Sequence, residues 1–329
     1  MQIRILTEED VRLALPMRET IETMKEAYRQ FSAGMASVPL RTRIEVTDQE
    51  GVALFMPALL HTTRDLAIKI VSVFPRNTDL ELPTIHAVVV AIDPDTGRPL
   101  ALIEGGSLTA IRTGAASGAA TDLLARSGTR QVAIFGSGVQ ARTQLEAVCA
   151  VRDIEAAWVY SIDLEGAQTF AEEMGGVGRI PAQIKVAGEP IEALSAADVI
   201  CTATTSSTPV FSGRDLRPGT HINAVGAFTP EMQELDEHTV ERAYVVVDSR
   251  AAALAEAGDL MIPIQKGLIR EDHIRAELGE IVSGDAPGRT SDDQITLFKS
   301  VGVAVQDAAA AGLALRRAEE LGLGQLVEL

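Results

Sequence analysis

The feature that most narrows what this chain can become is one short run, Gln131-Val-Ala-Ile-Phe-Gly-Ser-Gly-Val-Gln-Ala141. Its first half is apolar and reads as a buried strand. Its second half, Gly136, Ser137, Gly138, Val139, Gln140 and Ala141, fits G-x-G-x-x-A and opens a helix. Glycine pairs are common in loops, and alone the pattern says little. Between an apolar strand and a helix it carries a mechanism. Gly136 allows the tight turn, Gly138 lets the backbone approach a pyrophosphate, and Ala141 lets helix and strand close on each other. The anion then rests on the helix N-terminus, where unpaired N–H groups point outward. The competing reading is a purely structural glycine-rich turn.

An acid about 20 residues beyond such a loop commonly takes the ribose hydroxyls of a dinucleotide. Here the second strand ends in Tyr160-Ser-Ile-Asp163. Asp163 suits that role and suits equally the N-cap of the next helix. No Lys or Arg lies between Trp158 and Met174, so a 2′-phosphate finds no cation in this stretch. NAD(H) is therefore favoured over NADP(H).

The pattern around the loop alternates between strand and helix. Strands are predicted at Gln131–Phe135, Trp158–Tyr160, Asp198–Ala203, His221–Val225 and Tyr244–Asp248, with helices at Val139–Val151 and Leu164–Met174. That order predicts an α/β fold with a doubly wound parallel sheet. The stretch ahead of it has a different texture. A capped helix opens at Thr7, and a second follows Pro16 to about Phe31. Strands then follow at Arg43–Thr47, Leu66–Phe74, Ile85–Ile92 and Pro99–Glu104. Leu108–Ser127 reads as one Ala-rich helix leaving this first domain. Leu297–Leu321 is predicted to be helical and to pack back onto it.

Composition limits what such a fold can do. A formal charge of −17 argues against a nucleic-acid or anionic-membrane surface, so an anionic ligand must be held by a few placed cations. The only lysines are 25, 69, 185, 266 and 299, which makes each worth attention. No apolar run approaches the ~20 residues of a membrane span, and no secretory leader pattern opens the chain. The cysteines, Cys149 and Cys201, form no close-spaced pair, which suits a reducing cytoplasm. The histidines (61, 86, 221, 238 and 273) show no metal-ligand spacing, so no metal is expected. Lys69 by itself reads equally well as a solvent-facing lysine on an edge strand, and Arg112, on an Ala-rich helix, as a solvated surface charge.

Taken together, the motifs change those odds. The chain resembles the ornithine cyclodeaminase/mu-crystallin family, which includes archaeal-type alanine dehydrogenases and ketimine reductases. The matching stretches run nearly end to end. They are Phe55-Met-Pro57, the Lys69 strand, Leu108-Thr-Ala-Ile-Arg-Thr113, the G-x-G-x-x-A loop and Asn223-Ala-Val-Gly226, then Glu256-Ala-Gly-Asp259, Leu278-Gly-Glu-Ile-Val-Ser-Gly284, Ile295–Gly302 and Ala304-Val-Gln-Asp307. The resemblance implies a homodimer. It places an α+β substrate and dimerisation domain at 1–115 with 305–329, and a Rossmann domain at 116–304. It also implies that Arg41, Lys69 and Arg112 hold a substrate carboxylate, with Thr113 beside the cofactor. Ala203, Val225 and Gly302 complete the cofactor candidates.

The chain departs from the cyclodeaminase pattern at two positions. Cyclodeaminases and archaeal alanine dehydrogenases carry Gly-Asp-x-Pro-Gly after the Asn-Ala-Val-Gly stretch. Here the sequence is Gly226-Ala-Phe-Thr-Pro230, with Phe228 at the position of the catalytic acid. Where ornithine cyclodeaminase has a Glu, this chain has Leu54. Ketimine reductases of the mu-crystallin type also lack the acid. The expectation is therefore an NAD(P)H-dependent reductase of a cyclic α-imino acid, such as Δ1-pyrroline-2-carboxylate or Δ1-piperideine-2-carboxylate. The alternatives are a cyclodeaminase-type lyase that retains NAD, an amino-acid dehydrogenase, or a binding protein that sequesters a small ligand.

Overall fold

The computed structural model describes all 329 residues, which divide into two compact units. One joins Met1–Arg112 to Ala304–Leu329, and the other is the continuous stretch Thr113–Val303.

The continuous unit carries an eight-stranded sheet. Its strand order is 184–186, 156–160, 131–135, 199–202, 221–224, 296–299, 244–247 and 274–277, with every neighbouring pair parallel. Strands covered on both faces need apolar side chains on both, and Val132, Ala133, Ile134 and Phe135 are accordingly all fully buried. Chain direction across the sheet reverses beside Gln131–Phe135: the next strands in sequence run outward on one side, then Val199–Thr202 starts the other half. Open sheets of this kind bind ligands outside the carboxyl ends of the strands at that reversal.

Thr296–Lys299 corrects the sequence reading. Predicted as the start of a helix from Leu297, it is a fully buried strand between 221–224 and 244–247. The helix begins only at Ala304, after Gly302 turns the chain at φ +83°. Four consecutive buried residues have no helical period, and Gly302 separates them from the alanines of the helix that follows.

The discontinuous unit holds the second sheet, in the order 325–328, 2–6, 99–104, 85–92, 66–73, 51–60 and 36–37, with 42–46 also paired to 51–60. Only the pairing of 2–6 with 99–104 is parallel. The ten-residue strand Gly51–Leu60 is not among the predicted strands, and it holds Pro57, a residue that argues against a strand interior. The register explains its tolerance. On the side away from 66–73, strand 42–46 pairs as far as Phe55 and strand 36–37 starts at Leu59, so Pro57 falls in the gap between them.

One face of this sheet lies under the helices Ala304–Leu321, Met17–Ser32 and Glu8–Ala14. Met56, Lys69 and Val89 stand in register on that buried face, as do Ala58, Ala67 and Ala91. The opposite face is apolar as well: Phe55, Ile70 and Val88 form one row and Pro57, Ile68 and Val90 the next, all partly exposed. No helix of the protein is long and apolar enough to cross a membrane.

Candidate active site

Lys69 lies on an interior strand and is 3% exposed, so the edge-lysine reading does not hold. An alternating strand with one covered face sends every second side chain inward, and position 69 falls in the inward set. A buried ammonium needs a counter-charge. Helix Ala304–Leu321 supplies it: its first turns, Ala304 to Ala311, are wholly buried and mostly alanine, letting the helix lie close to the sheet. Asp307 is the one acid in that run. Its Oδ2 is 2.8 Å from Lys69 Nζ, and its Oδ1 accepts from Arg112 Nε at 2.9 Å.

Arg112 is 5% exposed, not a solvated surface charge. Its Nη1 donates to Gln306 Oε1 at 3.0 Å, so adjacent residues of one helix fix two edges of the guanidinium. Burial pushes the Lys69 ammonium down to about 8; Asp307 opposes this, while Arg112 and Arg41 add to it. Arg41 is therefore near enough to be felt, and the predicted cationic trio converges in one unit. Burial would raise the Asp307 carboxyl, but Lys69 and Arg112 outweigh it and hold the group below its ordinary value. Asp307 was not among the predicted site residues. Its signal was there, an acid inside an otherwise apolar, Ala-rich helical face.

The glycine loop has the geometry its motif demands. Gly136 has φ +107°, and a Cβ there would lie 2.5 Å from the Ala203 carbonyl oxygen, so both backbone conformation and space require glycine. That contact also places Ala203 beside the loop. Gly138 is the N-cap of helix Val139–Val151, with no side chain capping the N-terminus, and a Cβ there would meet nothing within 4 Å. Open space over uncapped N–H groups fits a pyrophosphate. Val139 is exposed, Gln140 partly so, and Ala141 fully buried against the strand, as helix–strand closure requires. Ser137 Oγ donates to Ser161 Oγ at 3.3 Å.

Asp163 N-caps helix Leu164–Met174, accepting from the Gly166 N–H at 3.0 Å; its side chain is exposed at the strand end where a ribose would lie. Arg142, one turn beyond the loop, is committed to Glu173 and to the Ser137 carbonyl. Val225 donates its N–H to the Thr202 carbonyl at 3.0 Å. The Gly302 N–H donates to Asp248 Oδ2 at 2.8 Å, and Asp248 also accepts from Ser300 Oγ and Val301 N. Thr113 is 8% exposed and follows Arg112 directly on helix Gly105–Leu124. Phe228 is 46% exposed, and Leu54 sits on strand 51–60.

The profile of the ornithine cyclodeaminase/mu-crystallin family matches residues 1–321. The chain belongs to that family. Within it, the chain is 43% identical over 325 residues to the Δ1-pyrroline-2-carboxylate reductase of Bacillus cereus, covering 98% of this chain and 99% of that one. The structure of Thermococcus litoralis Δ1-pyrroline-2-carboxylate reductase in complex with NADH and L-proline matches with TM-score 0.93 at 47% identity, over 98% of this chain and 99% of that one. An archaeal alanine dehydrogenase, solved as a dimer with bound NAD, matches with TM-score 0.91 at 35% identity, over the whole of both chains.

Proposed function

We propose that the protein reduces a cyclic α-imino acid of the Δ1-pyrroline-2-carboxylate type to the corresponding cyclic amino acid, using NADH. The observation that carries this reading is the buried cluster of Lys69, Arg112 and Asp307, two cations to one anion. Such a cluster has room for one more negative charge. A substrate carboxylate neutralises it and accepts from the donors that Asp307 and Gln306 leave unused, held in one orientation by groups already fixed before it arrives. Arg41 adds to the same positive field.

The residues at the glycine loop fit the pyrophosphate of NADH: Gly136 makes the turn, Gly138 leaves the space, and the N-terminus of helix Val139–Val151 supplies the N–H groups. The bound nicotinamide supplies a hydride. Reduction of a protonated cyclic imine then needs only that hydride and a fixed carboxylate. Nothing in it calls for an acid at position 228.

The protein acts as a homodimer in the cytoplasm. The apolar sheet face of Phe55, Pro57, Ile68, Ile70, Val88 and Val90 supports a second copy as its cover, as does the dimeric alanine dehydrogenase relative. The test of function is absorbance of NADH and NADPH with five- and six-membered cyclic imino acids. NADH oxidation with a cyclic imino acid is expected, at higher kcat/KM than with NADPH; no oxidation with any ring sinks the reading.

A further inference from the structure

Glu234 is fully buried beneath the carboxyl edge of the parallel sheet, and no part of the reaction described above uses it. Five donors converge on it. Oε1 accepts from Thr204 N at 2.6 Å and Thr204 Oγ1 at 2.9 Å; Oε2 accepts from Thr202 Oγ1 at 2.9 Å, Gly226 N at 2.8 Å and Ala227 N at 3.1 Å. These donors lie at the ends of two neighbouring strands, Val199–Thr202 and His221–Ala224. One carboxylate thus ties together the two loops that leave the sheet on the side opposite the adenosine half.

Glu234 is itself held from behind. Asp259 Oδ1 accepts from the backbone N–H groups of Glu234 and Leu235 at 2.7 and 2.9 Å, and its Oδ2 lies 2.8 Å from Lys299 Nζ, both side chains being fully buried. Burial pushes the Glu234 carboxyl up and Asp259 adds to this, while Lys299 and the hydrogen bonds from Thr204 and Thr202 pull the other way. Burial wins, and the carboxyl is held above its ordinary value; three of its five partners are backbone N–H groups that can only donate, so the side chain stays an acceptor at both oxygens.

In a doubly wound sheet the dinucleotide lies across the reversal, with one mononucleotide half over each set of strands. The glycine loop follows strand 131–135, so the second half falls over the loops after 199–202 and 221–224. We infer that Glu234 is a positioning residue for the nicotinamide half of the cofactor, fixing the backbone at Ala203–Thr204 and Val225–Ala227 without touching the ligand. It rests on the cofactor reading given above, not on the substrate.

Calorimetry of the purified protein tests it with two probes, NADH and ADP; the latter keeps adenosine and pyrophosphate but lacks nicotinamide and its ribose. Glu234→Gln keeps the volume and turns an N–H₂ toward groups that donate. NADH affinity should fall at least about tenfold while ADP affinity stays within about twofold, as expected when the loops under the nicotinamide half lose the group that fixes them and the glycine loop keeps its own geometry. Equal losses for both probes would mean a general role in the fold and overturn the inference, as would unchanged NADH affinity. Should Glu234→Gln not fold, Thr202→Val removes one of the donors isosterically; a folded variant binding NADH as tightly as wild type likewise overturns it. A wild-type protein that binds neither probe defeats the cofactor reading, and this inference with it. NADH binding without imine reduction defeats only the substrate.

Discussion

Arg112 and Asp307 are 195 residues apart in the chain and 2.9 Å apart in the fold, Nε to Oδ1. With Lys69 on its other oxygen, Asp307 makes the Lys69 and Arg112 cations a single electrostatic unit, and the first prediction follows from that. Lys69 gives up its proton at about pH 8, so kcat/KM should decline as pH rises through that value. Asp307→Asn removes the group that favours the charged ammonium, and the decline should move to lower pH. Titration of the substrate imine is common to both proteins, so the displacement between them reports Lys69. Superimposable profiles would refute the coupling. Lys69→Met should raise KM on the order of a hundredfold.

Stability should follow pH in the opposite sense. The Lys69 pKa is lowered on folding, from 10.5 to about 8, so between those values the unfolded chain binds more protons than the folded one. The Lys69 contribution to stability therefore improves as pH rises across that window, while activity falls. The check is the Tm of wild type minus that of Lys69→Met at pH 8 and at pH 10; the difference should shift in favour of wild type.

Gly138→Val should abolish NADH binding and leave the protein folded. The φ there is −77°, which valine adopts readily, and nothing within 4 Å obstructs a Cβ. The new side chain occupies the space over the helix N-terminus instead. Circular dichroism and calorimetry together decide it: a folded variant with undiminished affinity would show that the loop does not hold the cofactor.

Ornithine incubated with the enzyme and NAD should yield negligible ammonia and proline. Cyclodeamination needs neutral amines, whose ordinary pKa of roughly 10 leaves them protonated near neutrality. A placed carboxylate that manages those protons is worth about 10²–10⁴ in rate, and Phe228 and Leu54 provide none. Stoichiometric release of both products would mean that another acid has taken the role.

Ile68→Asp should convert a dimer into monomers. It puts a charge in the middle of the row Pro57, Ile68 and Val90, where a covering copy would have to desolvate it. Analytical ultracentrifugation reads the outcome. Wild-type protein sedimenting as a monomer would remove the dimer from the proposal.

Much of this was legible in the sequence because it depends on local pattern. The strand 131–135, the turn at Gly136 and the helix from Val139 are specified within a dozen or so residues. Thr7 caps its helix through the Asp10 N–H, as a capping box predicts. What escaped depends on distant partners. Pro57 is admissible in a strand only because two short neighbours stop on either side of it. Glu234 looks like an ordinary acid until the fold brings five donors to it, and Asp307, although marked by the alanines around it, has no visible partner until the fold brings Lys69 to it. Thr296–Lys299 differs from its sequence reading for the same reason: two apolar residues between Thr296 and Lys299 carry no period, and only the neighbouring strands decide between strand and helix.

The discontinuity of the first unit sets an order on how the chain can be made. A ribosome completes Met1–Arg112 and then the whole of Thr113–Val303 before Ala304–Leu321 emerges. Through that interval the nascent sheet exposes the alanine-lined face the last helix will cover, and Lys69 and Arg112 have no Asp307. The middle unit can fold on schedule, whereas the first must wait, half-covered and carrying two unmatched positive charges. A premature stop near residue 303 would leave the whole of Thr113–Val303 attached to a sheet that keeps two of its covering helices and lacks the third.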